Sequence, residues 1–175
     1  LTQPTLERSA PSLHITLIPS QIPVLVQARP AGLVIGADDR ARNTLINAWC
    51  SGYTVERIDP EATSHEPEED QEEKTIWVID NAEALSPSLI SLCQRRIKDG
   101  KPIIFGASAP ARLPYLMPWW RSTALGTHTI AIPPLNGSDY EPLGWNPPLA
   151  STTQPGHVLV NINQATYRAI ASHVP

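Results

Sequence analysis

Short apolar runs alternate along this chain with segments of helical periodicity. Three runs are almost wholly apolar, Leu33–Ile35, Thr75–Ile79 and Pro102–Phe105, and such runs are typical of buried parallel strands. After the first run, apolar residues recur at helical spacing around Leu45–Cys50, and after the second run they recur from Leu89 to Ile97. This order predicts right-handed βαβ crossovers. We therefore expect an α/β fold, a three-layer sandwich with a mostly parallel central sheet.

Boundary residues support the second predicted helix. Ser86 is placed to cap its first turn and Pro87 suits the first helical position. Gly100 is suited to ending it in a left-handed conformation.

The two ends of the chain have weaker patterns. Leu13–Ile18 and Val24–Gln27 alternate as edge strands do, but prolines interrupt them, so residues 1–30 are predicted to be an irregular N-terminal segment with short edge strands. Residues 31–175 are predicted to form one domain. Near its end, Thr127–Ile132 and His157–Ile162 are predicted strands and Ala165–Ser172 a closing helix.

Two further segments lie between the first two apolar runs. Tyr53–Ile58 is predicted to be a second strand. The acidic stretch at about residues 60–74 repels itself, which favours a solvated, flexible loop.

Composition and charge exclude several classes of partner. The chain has 175 residues and a net charge of −4, so it has no general attraction to nucleic acid or to an anionic membrane surface. No apolar run approaches the roughly 20 residues that span a bilayer. The two cysteines, Cys50 and Cys93, lack metal-ligand spacing and are expected to be free and buried. Because the chain begins with Leu1, we expect a fragment of a longer protein.

The segment after the first apolar run has the context of a phosphate-binding loop, G-x-x-x-x-G-K-[ST]. Gly36 matches the first glycine, but Ala41 replaces the second, Arg42 replaces the lysine and Asn43 replaces the hydroxyl residue, with Thr44 one position further on. A Cβ at the second glycine obstructs phosphate, and a planar guanidinium does not sit where an ammonium would. These changes predict that ATP is not bound tightly.

An acidic residue ends the next buried strand, as in nucleotide sites that hold magnesium. Asp80 is followed by Asn81 where a second acid would position water, and Glu83 is the nearest alternative. We expect a degenerate nucleotide site formed by Gly36, Arg42, Asn43, Thr44 and Asp80, with no catalytic residue and no metal site. The alternative is a structural role for Asp80, in which it caps the next turn or pairs with a basic residue. The fold prediction thereby sharpens to a P-loop NTPase-like, RecA-like sandwich.

Leu33–Thr44, Thr75–Asp80 and Ile103–Ser108 resemble the FtsK/SpoIIIE-type ATPase modules. The tail is similar to the last module of the EccC/EssC ATPases of type VII secretion, on the segments Arg112–Trp120, Gly126–Pro134, Leu143-Gly144 and Gln154–Val160. The order and spacing of these segments carry the resemblance. Two features depart from the family pattern: the segment before the third strand is short, and Gly106-Ala107-Ser108 lacks the arginine expected there.

The resemblance implies partners and a location. Such end modules are associated with other ATPase modules of the same motor and with the C-terminal signal of small helical WXG-type substrates. It implies a cytoplasmic location, as the soluble part of a membrane-associated complex, with no direct membrane contact from this segment. No cofactor is expected, or at most weakly held ATP and magnesium.

One apolar segment is a candidate partner contact because aromatic residues and arginine are common at interface centres. It comprises Tyr115, Leu116, Trp119, Trp120 and Arg121. The alternative is that at least one of these tryptophans packs in the core.

The leading functional hypothesis is a non-catalytic module of a type VII secretion motor, acting in substrate recognition or in regulating neighbouring modules. A second hypothesis is a weak ATP-binding module or ATPase in which Arg42 stands in for lysine and Asp80 holds magnesium. A third is a stand-alone P-loop-derived scaffold or adaptor.

Overall fold

A single nine-stranded sheet organises the part of the chain that the computed structural model describes, which is residues 10–63, 65, 74–109, 113–116, 129–133, 156–162 and 165–171. The strands are β1 Ser12–Ile18, β2 Pro23–Gln27, β3 Gly32–Gly36, β4 Thr54–Arg57, β5 Thr75–Ile79, β6 Ile103–Ala107, β7 Thr129–Ile132, β8 His157–Ile162 and β9 Ala165–Ile170. The helices are α1 Asp39–Trp49, α2 Pro87–Lys98 and the short α3 Leu113–Leu116, with a 3₁₀ turn at Ala82–Ala84.

The strand order is β2-β1-β9-β8-β7-β3-β6-β5-β4, and the sheet is mixed. From β7 to β4 the described pairings are parallel, and from β2 to β7 they are antiparallel. The predicted three-layer, RecA-like sandwich with a mostly parallel sheet is therefore wrong. The prediction extended the βαβ pattern of the central residues to the whole chain, whereas both ends of the described chain add antiparallel strands.

Both main helices begin where the sequence supplies a cap. The side chain of Asp38 accepts hydrogen bonds from the backbone N–H groups of Arg40 and Ala41 at the start of α1. Ser86 accepts from the N–H of Leu89 at the start of α2, which confirms the predicted cap and the proline at its first position. These caps fix the residue at which each helix begins.

The core has one cluster on each face of the sheet. On one face, α1 packs through Leu45, Ile46 and Trp49 against residues of the central strands and of β1, β2, β8 and β9. On the other face, α2 packs through Leu89 and Cys93 against β3, β5 and β6. The apolar runs predicted as buried strands are indeed buried on both faces. Cys50 and Cys93 are both buried and free, as expected.

The weaker predictions had mixed outcomes. The segments predicted as strands at Leu13–Ile18 and Val24–Gln27 correspond to β1 and β2, but β1 lies inside the sheet, between β2 and β9. The helix predicted for Ala165–Ser172 is wrong, because Ala165–Ile170 pairs antiparallel with β8. Cross-strand pairing overrides the helical spacing of its alanines.

The prediction of a flexible acidic loop falls mostly outside the described residues. Residues 66–73 of the acidic segment lie outside them. Within the described residues, no helix is long and apolar enough to cross a membrane.

Candidate functional site

The candidate site lies at the carboxyl ends of three adjacent parallel strands, β3, β6 and β5. Gly36 ends β3 and is followed by the loop that leads into α1, and Asp80 follows β5. Because β6 lies between these strands, the loop and Asp80 meet over its last residues. The structure thus brings together four of the five predicted nucleotide-site residues: Gly36, Arg42, Asn43 and Asp80.

Arg42 is fully buried and is the centre of the site. Its Nε–H donates to Oδ1 of Asp80 at 2.7 Å, and its Nη2 donates to Oδ2 of the same carboxylate at 3.0 Å. Its Nη1 donates to the carbonyl oxygen of Gly36 at 2.6 Å. Nη2 also contacts Oδ1 of Asp39 at 2.6 Å and Oδ1 of Asn81 at 3.3 Å. All three guanidinium nitrogens therefore have acceptors within the protein.

Asp80 receives a third hydrogen bond from the neighbouring helix residue. Nδ2 of Asn43 lies 3.2 Å from Oδ2 of Asp80 and 2.8 Å from the carbonyl oxygen of Asp39. Oδ1 of Asn43 accepts from Nη1 of Arg57 at 3.0 Å, and Nη2 of Arg57 donates to Oδ1 of Asn47. Asn43 thus joins the buried ion pair to an exposed arginine on β4.

The electrostatics of the pair favour its charged form. Burial alone would lower the pKa of Arg42, but hydrogen bonds to Asp80 and Asp39 outweigh it and the pKa is raised. Burial alone would raise the pKa of Asp80, yet the hydrogen bonds and charge of Arg42, with help from Asn43, hold that pKa below its ordinary value. Both groups are therefore ionised at neutral pH.

The absence of a side chain at position 106 makes room for this pair. A Cβ on Gly106 in β6 would overlap Oδ1 of Asp80, and it would lie 3.0 Å from Cδ1 of Ile46 and 3.3 Å from Nε of Arg42. Real Cβ atoms essentially never approach another atom as closely as this one would approach Oδ1 of Asp80. A side chain here would therefore displace the carboxylate.

The backbone groups that would hold an anion are also occupied. The first N–H groups of a helix form an anion site when they are free. Here the carboxylate of Asp38 accepts from the N–H of Arg40 at 2.9 Å and of Ala41 at 3.3 Å. A phosphate at this helix start would have to replace a bound carboxylate, and the exposed Asp39 would repel it.

Thr44, the fifth predicted residue, is engaged within its own helix. Its hydroxyl donates to the carbonyl oxygen of Arg40 at 2.9 Å. Among the described residues, no group of three or more histidine, cysteine, aspartate or glutamate side chains is arranged to hold a metal ion.

Sequence reasoning missed Asp39, Asn81 and Gly106 as members of the site. An acidic residue three positions before Arg42 on a helix was a usable signal for Asp39, because residues at this spacing are neighbours. No signal in the sequence indicated Gly106, whose role depends on the close approach of two other side chains.

Glu83 has a different role from the one considered for it. Its Oε2 accepts from the backbone N–H groups of Ser108 at 2.9 Å and Ala109 at 2.6 Å, and lies 3.3 Å from the hydroxyl of Ser108. It therefore ties the turn after β5 to the loop after β6.

The candidate partner segment is only partly described. Tyr115 is 91% exposed on α3. Leu116 ends that helix, while Trp119, Trp120 and Arg121 lie outside the described residues. Their role as a partner contact stays a prediction.

Comparison with known proteins gives a structural likeness alone. No protein-family model matches the chain, and no curated protein matches it. A similar fold occurs in Thermomonospora curvata EccC (ATPases 2 and 3), solved in complex with a signal sequence peptide, with a TM-score of 0.58 and 13% identity. The alignment covers 94% of this chain and 41% of that chain, so the sequence spans about two fifths of its neighbour. The chain thus shares a fold with the ATPase region of EccC.

Proposed function

We propose that this chain is an ATPase-like module that neither hydrolyses ATP nor binds it tightly, and that serves as a docking module in a type VII secretion motor. The observation that carries the proposal is the ion pair between Arg42 and Asp80, two residues at positions that would hold phosphate and magnesium in a working site.

Opening this ion pair costs free energy that nucleotide binding would have to offset. For Arg42 to reach a phosphate it must leave Asp80, and breaking a buried ion pair costs about 3–5 kcal/mol. Since about 1.4 kcal/mol is a factor of ten in affinity, this alone weakens nucleotide binding by roughly two to four orders of magnitude. The capping carboxylate of Asp38 adds a competitor for the helix N-terminus.

The docking part of the proposal rests on the structural likeness. The EccC structure with a similar fold holds a signal sequence peptide. We extend this to the present chain as recognition of the C-terminal signal of a small helical substrate, with neighbouring ATPase modules as further partners. A place in the soluble part of a membrane-associated complex belongs to the same proposal.

Calorimetric titration with magnesium-ATP tests the nucleotide part. The matched variant is A41G/R42K/N43T, which restores the full G-x-x-x-x-G-K-T motif. We expect no heat from the wild type up to millimolar ATP and measurable binding by the variant. Circular dichroism of every protein controls for loss of fold. R42K alone separates the effect of the lysine from that of the other two substitutions.

A wild-type dissociation constant in the micromolar range, or hydrolysis at ordinary enzyme rates, would overturn the proposal. If Arg42→Ala and Asp80→Ala then each abolished binding, the chain would be a nucleotide-binding module that uses these two residues.

A further inference from the structure

The strand β2 forms one edge of the described sheet, with β1 as its neighbour. Edge strands of soluble proteins are usually protected by charged residues, by bulges or by covering segments. The sequence of β2 is Pro-Val-Leu-Val-Gln, so Pro23 at its start is its one protective residue and it has no charge. The opposite edge strand, β4, has Glu56 and Arg57.

The hydrogen-bonding pattern fixes which groups of β2 point outward. At the two ends of the hairpin, the N–H of Leu17 donates to the carbonyl of Ile22 at 2.8 Å, and the N–H of Ala28 donates to the carbonyl of Pro11 at 2.9 Å. Antiparallel ladders alternate between bonded and non-bonded pairs. Leu25, opposite His14, is therefore in a non-bonded pair, and so is Gln27. Both residues direct their N–H and C=O groups away from β1.

The side chains along this edge are apolar and exposed. Leu25 is 44% exposed, and Ile22 in the preceding turn is 54% exposed. Val26 on the opposite face of β2 is buried in the core. A strand added here would gain an apolar contact with Leu25 without disturbing the core.

The charged residues of this half of the sheet indicate which kind of peptide strand could be added at the β2 edge. The protein has a net charge of −4, yet residues 10–36, which include β1, β2 and β3, contain no aspartate or glutamate. The described parts of β7, β8 and β9 contain none either. The basic residues and histidines among the described residues of this half are Arg29, Arg168, His14 and His157. An acidic segment would meet no aspartate or glutamate among the described residues of these strands, whereas it would meet Glu56 at the β4 edge.

We propose that the β2 edge binds an extended peptide segment that contains acidic residues and places an apolar side chain beside Leu25. The peptide pairs with the outward N–H and C=O groups of Leu25 and with the outward N–H of Gln27, and it extends the sheet by one strand. The carbonyl of Gln27 already accepts from the N–H of Arg29 at 2.9 Å. This inference deepens the docking role proposed above and rests on it, because it names the chemistry of the docked segment and the surface that receives it.

Selection from a library of random twelve-residue peptides displayed on phage tests the inference, with the full chain as target. We expect enrichment of proline-poor peptides with alternating apolar residues and an excess of aspartate and glutamate. The selected peptides are then synthesised with a fluorophore, and their binding is measured by anisotropy.

Two substitutions at one position separate strand pairing from side-chain contact. Leu25→Pro removes the outward N–H and leaves the ladder to β1 intact, whereas Leu25→Thr keeps the N–H and removes the apolar surface. We expect Leu25→Pro to weaken binding at least about tenfold and Leu25→Thr about threefold. Gln27→Pro, expected to act like Leu25→Pro, is the second variant if the first fails to fold.

Three results would overturn the inference: no enrichment, binding unaffected by both proline variants, or a dimer of this chain that Leu25→Pro dissociates. If peptides bind and Tyr115→Ala alone abolishes binding, the docking function stands and the β2 site is wrong. If the β2 edge binds peptide while the chain hydrolyses ATP, the non-catalytic part of the proposed function is wrong and the β2 site stands.

Discussion

Arg42 and Asp80 form a two-point ion pair, Nε to Oδ1 at 2.7 Å and Nη2 to Oδ2 at 3.0 Å, in which the arginine is fully buried and the carboxylate is 17% exposed. The planar guanidinium matches the two carboxylate oxygens, a geometry that a lysine ammonium does not reproduce. Arg42 thus holds the first turn of α1 to the carboxyl end of β5.

Removing the carboxylate of Asp80 is expected to destabilise the protein strongly. Asp80→Asn leaves the Arg42 charge buried without its main partner, and breaking a buried pair in this way costs about 3–5 kcal/mol. The matched control is Asp39→Asn, which removes the 74% exposed partner and should cost about 1 kcal/mol or less. Urea denaturation of both variants measures the difference. Equal losses would contradict the central position of Asp80.

The pKa of Asp80 predicts the pH dependence of stability. Because this pKa is lower in the folded protein than in the unfolded chain, the pair contributes stability above the unfolded value of about 4. That contribution is lost as the pH falls through the folded pKa. Denaturation at pH 7, 5 and 3 should show a steeper acid loss for the wild type than for Asp80→Asn. Parallel profiles would show that Asp80 does not contribute.

Gly106→Ala is expected to destabilise the fold by displacing Asp80. The added methyl group overlaps Oδ1 of Asp80, and such overpacking costs about 1–3 kcal/mol. In an Asp80→Ala background the overlap is absent, so the same change should cost less. A double-mutant cycle of unfolding free energies measures this coupling. An unchanged cost would place the strain elsewhere, at Ile46.

A second buried arginine lies on the other face of the sheet, and its contacts predict the effect of a substitution there. Arg96 donates to the carbonyl oxygens of Pro102 and Thr75 at 2.9 Å each, and its guanidinium lies 4.4 Å from the ring centre of Trp77. Lysine cannot make both hydrogen bonds and stack on the ring. We expect Arg96→Lys to cost about 1–2 kcal/mol.

The adjacent Arg95 is exposed and gives the control, since Arg95→Lys should cost less than about 0.5 kcal/mol. Thermal unfolding compares the two variants. Equal midpoints for Arg96→Lys and the wild type would show that the stack contributes little.

The sequence predicted the central parallel strands well because their signal is local. Thr75–Ile79 was predicted with the bounds that the structure has, and Ser86 and Pro87 marked the start of α2. The antiparallel strands depend on partners distant in the chain. The short β9 has no strong strand signal of its own and becomes a strand through pairing with β8 and β1.

The sequence predicted that Arg42 and Asp80 lie in one site, but not that they pair with each other. The motif comparison interpreted them as residues of a degenerate nucleotide site, and Asp80 pairing with a basic residue was one of the alternatives. That the two pair with each other depends on Gly106 and on the order β3-β6-β5, which a sequence pattern does not contain.

The position of β1 between β2 and β9 has a consequence for how the chain reaches its folded state. Thr16 pairs with Ile170, near the opposite ends of the chain, so the first hairpin acquires its inner neighbour only when the last described strand is present. Contacts between such distant segments slow folding, because loop-closure entropy is lost before they form. During synthesis the β1–β2 hairpin therefore pairs with β9 only after the residues up to Ile170 have been made. A chain cut after Ile162 should refold without the pairing between this hairpin and the rest of the sheet.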